Sequence, residues 1–411
     1  MLGFSSYAVT LLELKSLWAL SNTVSGLIAS GFFLGYMAFV SMWNAMTDRR
    51  DARAVYAVGG LMTSLGCLGF ALLADGPVLA FAFQFLQGVG VSATYMPGLR
   101  ILSERLSGRV QSRFVSFYTS FFGVGVGASL LLSGWAAETL GWRWAYGLAG
   151  IGPLCSVALV LWATRAEPFS LSSPLPEGAS GWLHLVFPVS AWREALRDRS
   201  VALFTIGYGV HCLELFAARS WTVAFLSFVI ASQSGVPIWS AATLAALVNL
   251  ISVPSSILGN EVAMRLGRRV WIILVMTTGS IVGVLMSLLV GLPWWIVTLV
   301  VALHSILIMA DSASLTAGLV STVPPQVKGA AFGLYSLLGF GAGAIGPVLF
   351  GLALDLAGGQ QHAVAWAWAF LVSGLGCLAY PWIDRRLFGV SPFQRDSHNS
   401  AREPHEPHEP H

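Results

Sequence analysis

The sequence predicts an all-α integral membrane protein whose helices cross a lipid bilayer many times. Hydrophobic residues make up 56% of the 411-residue chain and charged residues only 10%, with a mean hydropathy of +0.73. A soluble domain is about 45–50% apolar and about 25% charged. The apolar residues form long continuous runs without the period of two that a barrel strand requires. These observations exclude a soluble globular protein and a β-barrel.

Eleven apolar runs are long enough to span a bilayer, which takes about 20 residues for a core about 30 Å thick. The predicted spans are 24–46, 54–74, 78–99, 114–136, 144–163, 200–228, 238–260, 270–291, 294–319, 329–354 and 363–383. Residues 1–12 before them are apolar but would reach only about 18 Å as a helix. They lack the basic region and cleavage site of a signal peptide. We interpret them as a first helix that is truncated relative to its later counterpart, or as a short helix lying in the membrane interface.

Basic residues are concentrated in every second loop, and this pattern predicts which side of the membrane each loop faces. Nineteen of the 22 basic residues fall in one set of loops, the opposite set holds Lys15 and Arg143, and Arg219 lies within a span. Basic loops remain in the cytoplasm as a rule. We therefore expect the central loop and the C-terminus to be cytoplasmic, in the inner membrane of a bacterium. The two faces are called below the Arg-rich end and the Arg-poor end.

The chain also divides into two similar halves. The pattern Asn44-x4-Arg49-x3-Arg53 returns as Asn260-x4-Arg265-x3-Arg269, and internal duplication is common in secondary transporters. A turn-rich stretch, 172–178, marks a linker, and Glu-Pro-His repeats three times at the end of the chain. The predicted organisation is an N-terminal six-helix bundle (1–163, its first helix short), a central loop (164–199), a C-terminal six-helix bundle (200–383) and a disordered tail (384–411).

This organisation resembles the major facilitator superfamily, whose signature between the second and third helices is G-x3-D-R-x-G-R-R. The corresponding turn keeps Asp48, Arg49 and Arg53, and the second copy keeps Arg265, Arg268 and Arg269. The resemblance implies a pair of six-helix bundles, related by a pseudo-two-fold repeat, that move substrate by alternating access. We expect these six charges to gate the cytoplasmic side by pairing with one another or with helix ends. The alternative is that they serve only to set the topology.

Two departures from the family pattern bear on mechanism. Gln84 stands where members often carry an arginine that is linked to proton coupling, and the fifth helix (span 114–136, with residues 1–12 counted as the first) lacks the Gly-Pro pair associated with exporters. The first departure places that particular proton route in doubt. The second favours import.

Ionisable residues inside two spans are the strongest functional signal. The span 200–228 contains His211, Glu214 and Arg219, and the span 294–319 contains His304 and Asp311. A charge at the bilayer centre costs about 2.5–3.5 kcal/mol on insertion scales, so such groups face a cavity or a partner. Helical geometry makes His211 and Glu214 neighbours at i, i+3 and places His304 and Asp311 on one face. Arg219 is poorly spaced for Glu214, so its partner comes from another helix, water or the substrate.

We hypothesise that Arg219, together with His211 or His304, binds an anionic group of the substrate. Glu214 and Asp311 are then the candidate proton carriers, because burial allows a carboxyl group to exchange a proton near neutral pH. Further substrate-binding candidates are the uncharged polar residues at membrane depth: Tyr208, Tyr7, Gln84, Gln87 and Tyr95. The alternatives are a structural charge network, histidines satisfied within the core, and simple packing.

The predicted function is secondary active transport of a small solute, an organic anion coupled to protons, with import favoured. No nucleotide-binding G-x4-G-K-[ST] motif and no catalytic constellation is visible, so we expect no enzyme activity and no cofactor. His211 and Glu214 could supply half a metal site, but no third ligand is apparent. The expected partners are the solute, protons and the bilayer, with no nucleic acid and a functional monomer. An efflux antiporter, a non-transporting sensor and an inactive remnant are the alternatives.

Overall fold

The computed structural model describes residues 1–47, 50–105, 108–164, 187–233, 238–324 and 328–389. These residues form helices and contain no β-strand, which confirms the predicted all-α membrane fold. The helices are α1 Ser6–Leu17, α2 Asn22–Thr47, α3 Ala52–Leu73, α4 Pro77–Arg105, α5 Gly108–Leu140, α6 Trp142–Ala163, α7 Val189–Ala195, α8 Arg199–Ala231, α9 Ala241–Leu266, α10 Arg268–Leu288, α11 Trp294–Ala310, α12 Ser312–Thr322, α13 Lys328–Leu356 and α14 Ala363–Phe388.

Eleven helical segments in the described ranges are long and apolar enough to cross a membrane, in agreement with the eleven predicted spans. One of them is interrupted. Asp311 ends α11 and precedes α12, and it lies outside both helices. Hydropathy could not reveal this break, because the mean hydropathy of the segment Trp294–Thr322 stays high, at 2.0. A second difference lies in the central loop, where Val189–Ala195 forms a short helix that packs on α13.

The two halves of the chain meet along the helix pairs α2–α13, α5–α9 and α1–α8. Two glycines allow the closest approach of α2 and α13. A Cβ atom added at Gly26 would collide with the Pro347 carbonyl, and one added at Gly351 would collide with the Asn22 carbonyl. The largest buried apolar cluster contains residues from both halves. The interface is therefore a packed core on at least part of its length.

At the Arg-poor end, one carboxylate joins the halves. Asp355 of α13 accepts hydrogen bonds from the Asn22 backbone and side-chain nitrogens at 3.1 and 2.8 Å, and from the Thr23 nitrogen and hydroxyl at 2.8 and 2.7 Å. Asn22 and Thr23 are the first residues of α2, whose free N–H groups and helix dipole favour an anion. Lys15 donates to the Asn22 side-chain oxygen at 2.6 Å, and burial lowers the pKa of its ammonium group. This arrangement holds the Arg-poor ends of α2 and α13 together.

Candidate functional site

A cavity lies between the two halves, at the level where α8 and α11 carry their polar residues. It leaves about 70 Å³ for the centres of water-sized spheres, whereas a single water needs about 10–15 Å³ on this measure. It therefore has room for several waters or a small ligand. The lining residues come from both halves: Phe4, Ser5, Tyr7, Ala8, Ala29, Phe32, Phe33, Gln84, Val126, Leu130, Leu215, Ala218, Arg219, Ser220, Thr222, Val223, Ala245, Val248, Asn249, Ser252, Ser305, Ile308 and Met309.

Arg219 is the one charged side chain among these lining residues. It is half-buried, and its Nη2 atom lies 3.5 Å from the sulfur of Met309 on α11. Within the described part of the chain, no carboxylate lies within ion-pair distance of its guanidinium group. A thioether is a weak acceptor, and a charge within a membrane protein is costly unless it has a partner or water. The cavity therefore presents an uncompensated positive charge.

Gln84 faces the cavity from the N-terminal half, on α4. Its side chain is 3% exposed, and its amide makes no hydrogen bond to any residue that the structure describes. A ligand or water in the cavity can therefore accept and donate hydrogen bonds at this position. Tyr7 lines the same side of the cavity from α1, and its hydroxyl is buried without a hydrogen-bond partner among the described residues. Leaving such a group unpaired costs about 1–3 kcal/mol.

The remaining wall is mainly apolar and partly aromatic. The rings of Phe4, Phe32 and Phe33 meet edge to face, with centroids 5.2 to 6.2 Å apart. Two of the lining hydroxyls are already committed, because Thr222 and Ser252 donate to carbonyls of their own helices. The cavity thus combines one cation with a mainly apolar surface and a few polar groups, among them Gln84 and the hydroxyls of Tyr7, Ser220 and Ser305.

The other ionisable residues predicted from the sequence form two crossed pairs between α8 and the α11–α12 break. The Nδ1 atom of His211 lies 2.8 Å from Oδ1 of Asp311, and the Nε2 atom of His304 lies 3.6 Å from Oε1 of Glu214. Ser280 of α10 donates to the Glu214 carboxylate, with distances of 3.1 and 3.0 Å to its two oxygens. All four ionisable side chains are almost fully buried. The fifth ionisable residue, Arg219, belongs to neither pair and lines the cavity instead.

The crossed pairs and the cavity are adjacent but distinct. Leu215, Ser305 and Met309 line the cavity, and they lie within two residues of Glu214, His304 and Asp311 along the chain. The paired carboxylates themselves do not belong to the described cavity lining. A change in the protonation of either pair can therefore reach the cavity through α8 and α11 without direct contact between a carboxylate and a ligand.

The structure separates the remaining substrate-binding candidates from the cavity. Tyr208 stacks on Tyr335 with ring centroids 3.8 Å apart. Gln87 is buried against α3, where its side chain fills the space beside Gly66. Tyr95 packs near the ring of Tyr118, which donates to its backbone carbonyl. Of the sequence candidates, Arg219, Tyr7 and Gln84 line the cavity.

Three of the predicted gating charges, Arg53, Arg268 and Arg269, make contacts within their own halves. Arg53 donates to the Leu161 carbonyl of α6 at 3.0 Å. Arg269 forms a two-pronged ion pair with buried Asp384 of α14, with distances of 2.7 and 2.8 Å. Arg268 donates to Ser321 at 3.3 Å and Arg265 is exposed. Asp48 and Arg49 lie outside the described residues.

Several contributors to these sites were missed by the sequence analysis. Ser280 and Met309 carry no charge or motif, and only packing brings them to Glu214 and Arg219. Asp355 and Asp384 look like ordinary acids near helix ends in the sequence. The repeat offered one usable signal. Met264 stands in the second copy where the first copy has the acid Asp48, so the basic turn of the second copy lacks a neighbouring acid. In the structure Asp384 supplies an acid to that turn by pairing with Arg269. In the described ranges, no three metal-ligating side chains converge.

Comparison with known proteins places the fold in a family. A family model described as Major Facilitator Superfamily matches residues 1–347. The chain belongs to the Major Facilitator Superfamily. The sequence is 25% identical to Protein spinster homolog 3 of Danio rerio over 230 residues, which are 54% of this chain and 44% of that protein. It is 25% identical to the Niacin transporter NiaP of Acinetobacter baylyi over 155 residues, 38% of this chain and 35% of that protein. These matches span less than half of each relative.

Solved structures of the superfamily share the fold over nearly the whole chain. A bacterial homolog of the human lysosomal transporter Spinster, in an inward-facing and unoccupied conformation, gives a TM-score of 0.71 at 16% identity and covers 94% of this chain and 93% of its own. A D-xylose-proton symporter gives 0.68 at 15% identity, covering 95% and 96%. At these identities the likeness establishes the fold alone. The family match and the eleven apolar helices of the described residues identify an integral, multi-pass membrane protein.

Proposed function

We propose that this protein is a secondary active transporter that carries a small organic anion together with protons by alternating access. The observation that carries the proposal is Arg219, a positive charge without a carboxylate partner among the described residues, in a cavity between the two halves. In a membrane interior such a charge attracts a group of opposite sign. Substrate sites near the bilayer midplane, between repeats, are typical of secondary transporters. The Niacin transporter and an Arabinose-proton symporter of Bacillus subtilis are among the sequence relatives.

The crossed pairs supply the proton site in this proposal. Glu214 and Asp311 are the only acids buried between α8, α10 and α11–α12 in the described chain, and each lies beside a histidine. A buried carboxylate and a histidine this close together can pass a proton from one to the other after a small movement. Since Met309 contacts Arg219 and lies two residues from Asp311, proton loading at the break and anion binding at Arg219 can influence one another.

Alternating access requires contacts between the halves that form and break. On the Arg-rich side of the cavity, Tyr36 of α2 stacks on Phe340 of α13 with centroids 3.7 Å apart. At the Arg-poor end, Asp355 binds the start of α2. The cavity therefore lies between two contacts that join the same pair of helices. Release of the Asp355 contact would open the Arg-poor end.

Replacing Asp355 with Ala should accelerate entry from the Arg-poor end. The substitution removes four hydrogen bonds to a carboxylate, each of which contributes about 1.5–3 kcal/mol when one group is charged. The probe is a cysteine introduced at Thr222, in the cavity wall. We expect it to react with an impermeant thiol reagent added at the Arg-poor end at least about tenfold faster in the Asp355→Ala protein than in protein that retains Asp355. Protein without the introduced cysteine gives the background from the native thiols. Asp75→Ala, an exposed acid at the same end, is the matched control, and an unchanged rate in Asp355→Ala would contradict the gating role.

Flux in proteoliposomes tests the proposed function itself. Purified protein should accumulate radiolabelled small carboxylates when the outside is made more acidic than the lumen, and a protonophore should abolish the accumulation. Glucose and lysine should not accumulate. Reversal of the pH gradient should drive efflux of a preloaded carboxylate if anion and proton move in the same direction. Accumulation only when the lumen is more acidic would identify an antiporter, and the absence of any gradient-dependent flux would reject coupled transport.

A further inference from the structure

We propose that the cavity selects a small monocarboxylate with a compact apolar or aromatic body and without an amino group or a second acid. This inference rests on the proposed function and specifies the substrate class of the same site. It follows from three features of the wall: the number and sign of its charges, the placement of its one unpaired amide, and the character of the surface between them.

The charges of the cavity admit one anionic group and no cation. Arg219 is the single charged side chain of the described lining, and the nearby acids Glu214 and Asp311 are held by His304 and His211 behind α8 and α11. A second carboxylate on the ligand would be buried without a cation. An ammonium group would be buried beside Arg219 without an acid. Unpaired buried charges are strongly unfavourable, so dicarboxylates and amino acids are discriminated against.

Gln84 supplies the polar contact from the opposite half. Its amide is buried and has no hydrogen-bond partner among the described residues, so it can donate to a carboxylate oxygen or bind a polar atom of a ring. A ligand that contacts Arg219 of α8 and Gln84 of α4 at once joins the two halves of the protein. Gln84 is therefore a specificity-determining residue in this inference.

The surface between these two groups suits an apolar body. Phe4, Phe32 and Phe33 present an edge-to-face cluster, and aromatic walls of this type favour rings. A sugar would need many hydrogen bonds at once, and two of the six lining hydroxyls, those of Thr222 and Ser252, already donate to their own helices. A site that leaves ligand hydroxyls unpaired rejects such a ligand strongly.

Ligand-induced thermal stabilisation of the purified full chain tests the inference, because a ligand that binds the folded state raises its stability in proportion to the logarithm of its concentration over Kd. The probes are benzoate, phthalate, phenylalanine and benzyl alcohol, which share a ring and differ in charge. We expect benzoate to bind at least about tenfold more tightly than the other three. We also expect Gln84→Leu to weaken benzoate binding about tenfold. Ser92→Ala, which alters a buried hydroxyl of α4 that bonds its own helix, should leave binding unchanged.

The outcomes separate this inference from the proposed function. If phthalate or phenylalanine binds as tightly as benzoate, and Arg219→Gln abolishes that binding, the substrate class is wrong while the anion site stands. Equal binding of benzoate by wild-type protein and by Gln84→Leu would remove Gln84 from the site. If benzyl alcohol binds and no carboxylate does, or if none of the four probes binds, both the substrate class and the anion site are rejected.

Discussion

Replacing Arg219 with Gln should strongly reduce transport of the anionic substrate while the protein still inserts and folds. The substitution removes the one charge of the described cavity lining, and a charge-assisted hydrogen bond contributes about 1.5–3 kcal/mol. The expected loss is on the order of 100-fold in kcat/KM for uptake in proteoliposomes, with the larger part in KM because the ground state loses its counter-charge. Folding should be preserved or improved, since an uncompensated guanidinium inside a membrane is itself unfavourable.

Arg219→Lys sharpens this test. Lysine retains the charge but is a compact ammonium group, and it lacks the planar fork that binds both carboxylate oxygens. We expect partial activity, between that of the wild type and that of Arg219→Gln. Arg143→Gln is the control, because Arg143 is exposed at the Arg-poor end, where it packs over the Trp142 ring. Wild-type uptake by a well-inserted Arg219→Gln protein would show that Arg219 is structural.

The sequence could predict most of the fold because lipid leaves few options for the backbone. Continuous apolar runs must form helices in a bilayer, since every backbone N–H and C=O needs an internal partner. The helix break at Asp311 could not be predicted in this way, because its neighbours, Ala310 and Ser312, are compatible with an uninterrupted helix. The contact between Asp355 and the start of α2 could not be predicted in this way, because its partner Asn22 is 333 residues away in the sequence.

The candidate site was only partly predictable for a related reason. Depth in a span can be estimated from sequence, so Arg219, Glu214 and Asp311 were found. The direction of a side chain depends on how helices pack, and Gln84 and Gln87, one turn apart on α4, end in different environments. The crossed pairing illustrates the same limit. Spacing placed His211 beside Glu214 on one helix, but the shortest ion-pair distances join His211 to Asp311 and Glu214 to His304.

Replacing Glu214 with Gln should separate substrate movement from proton movement. Glutamine has nearly the same shape and can still bond the Ser280 hydroxyl, but it cannot take up or release a proton. We expect Glu214→Gln to lose accumulation driven by a pH gradient. Exchange of labelled for unlabelled substrate at equal pH should persist, because the Arg219 cavity is unchanged. The measurement is the ratio of gradient-driven accumulation to exchange in the same proteoliposomes.

The surroundings of Glu214 define how this result is interpreted. Its carboxylate lies beside His304 of α11 and Ser280 of α10, with Cys377 of α14 and Asp311 nearby. Glu138→Gln, an exposed acid at the Arg-poor end, should leave both activities intact. Loss of exchange together with accumulation would indicate that Glu214 holds the helices in place. Full retention of accumulation would assign the proton site to the His211–Asp311 pair. Asp311→Asn should then lose gradient-driven accumulation and keep exchange, because no other buried carboxylate of the described chain borders α8 at that depth.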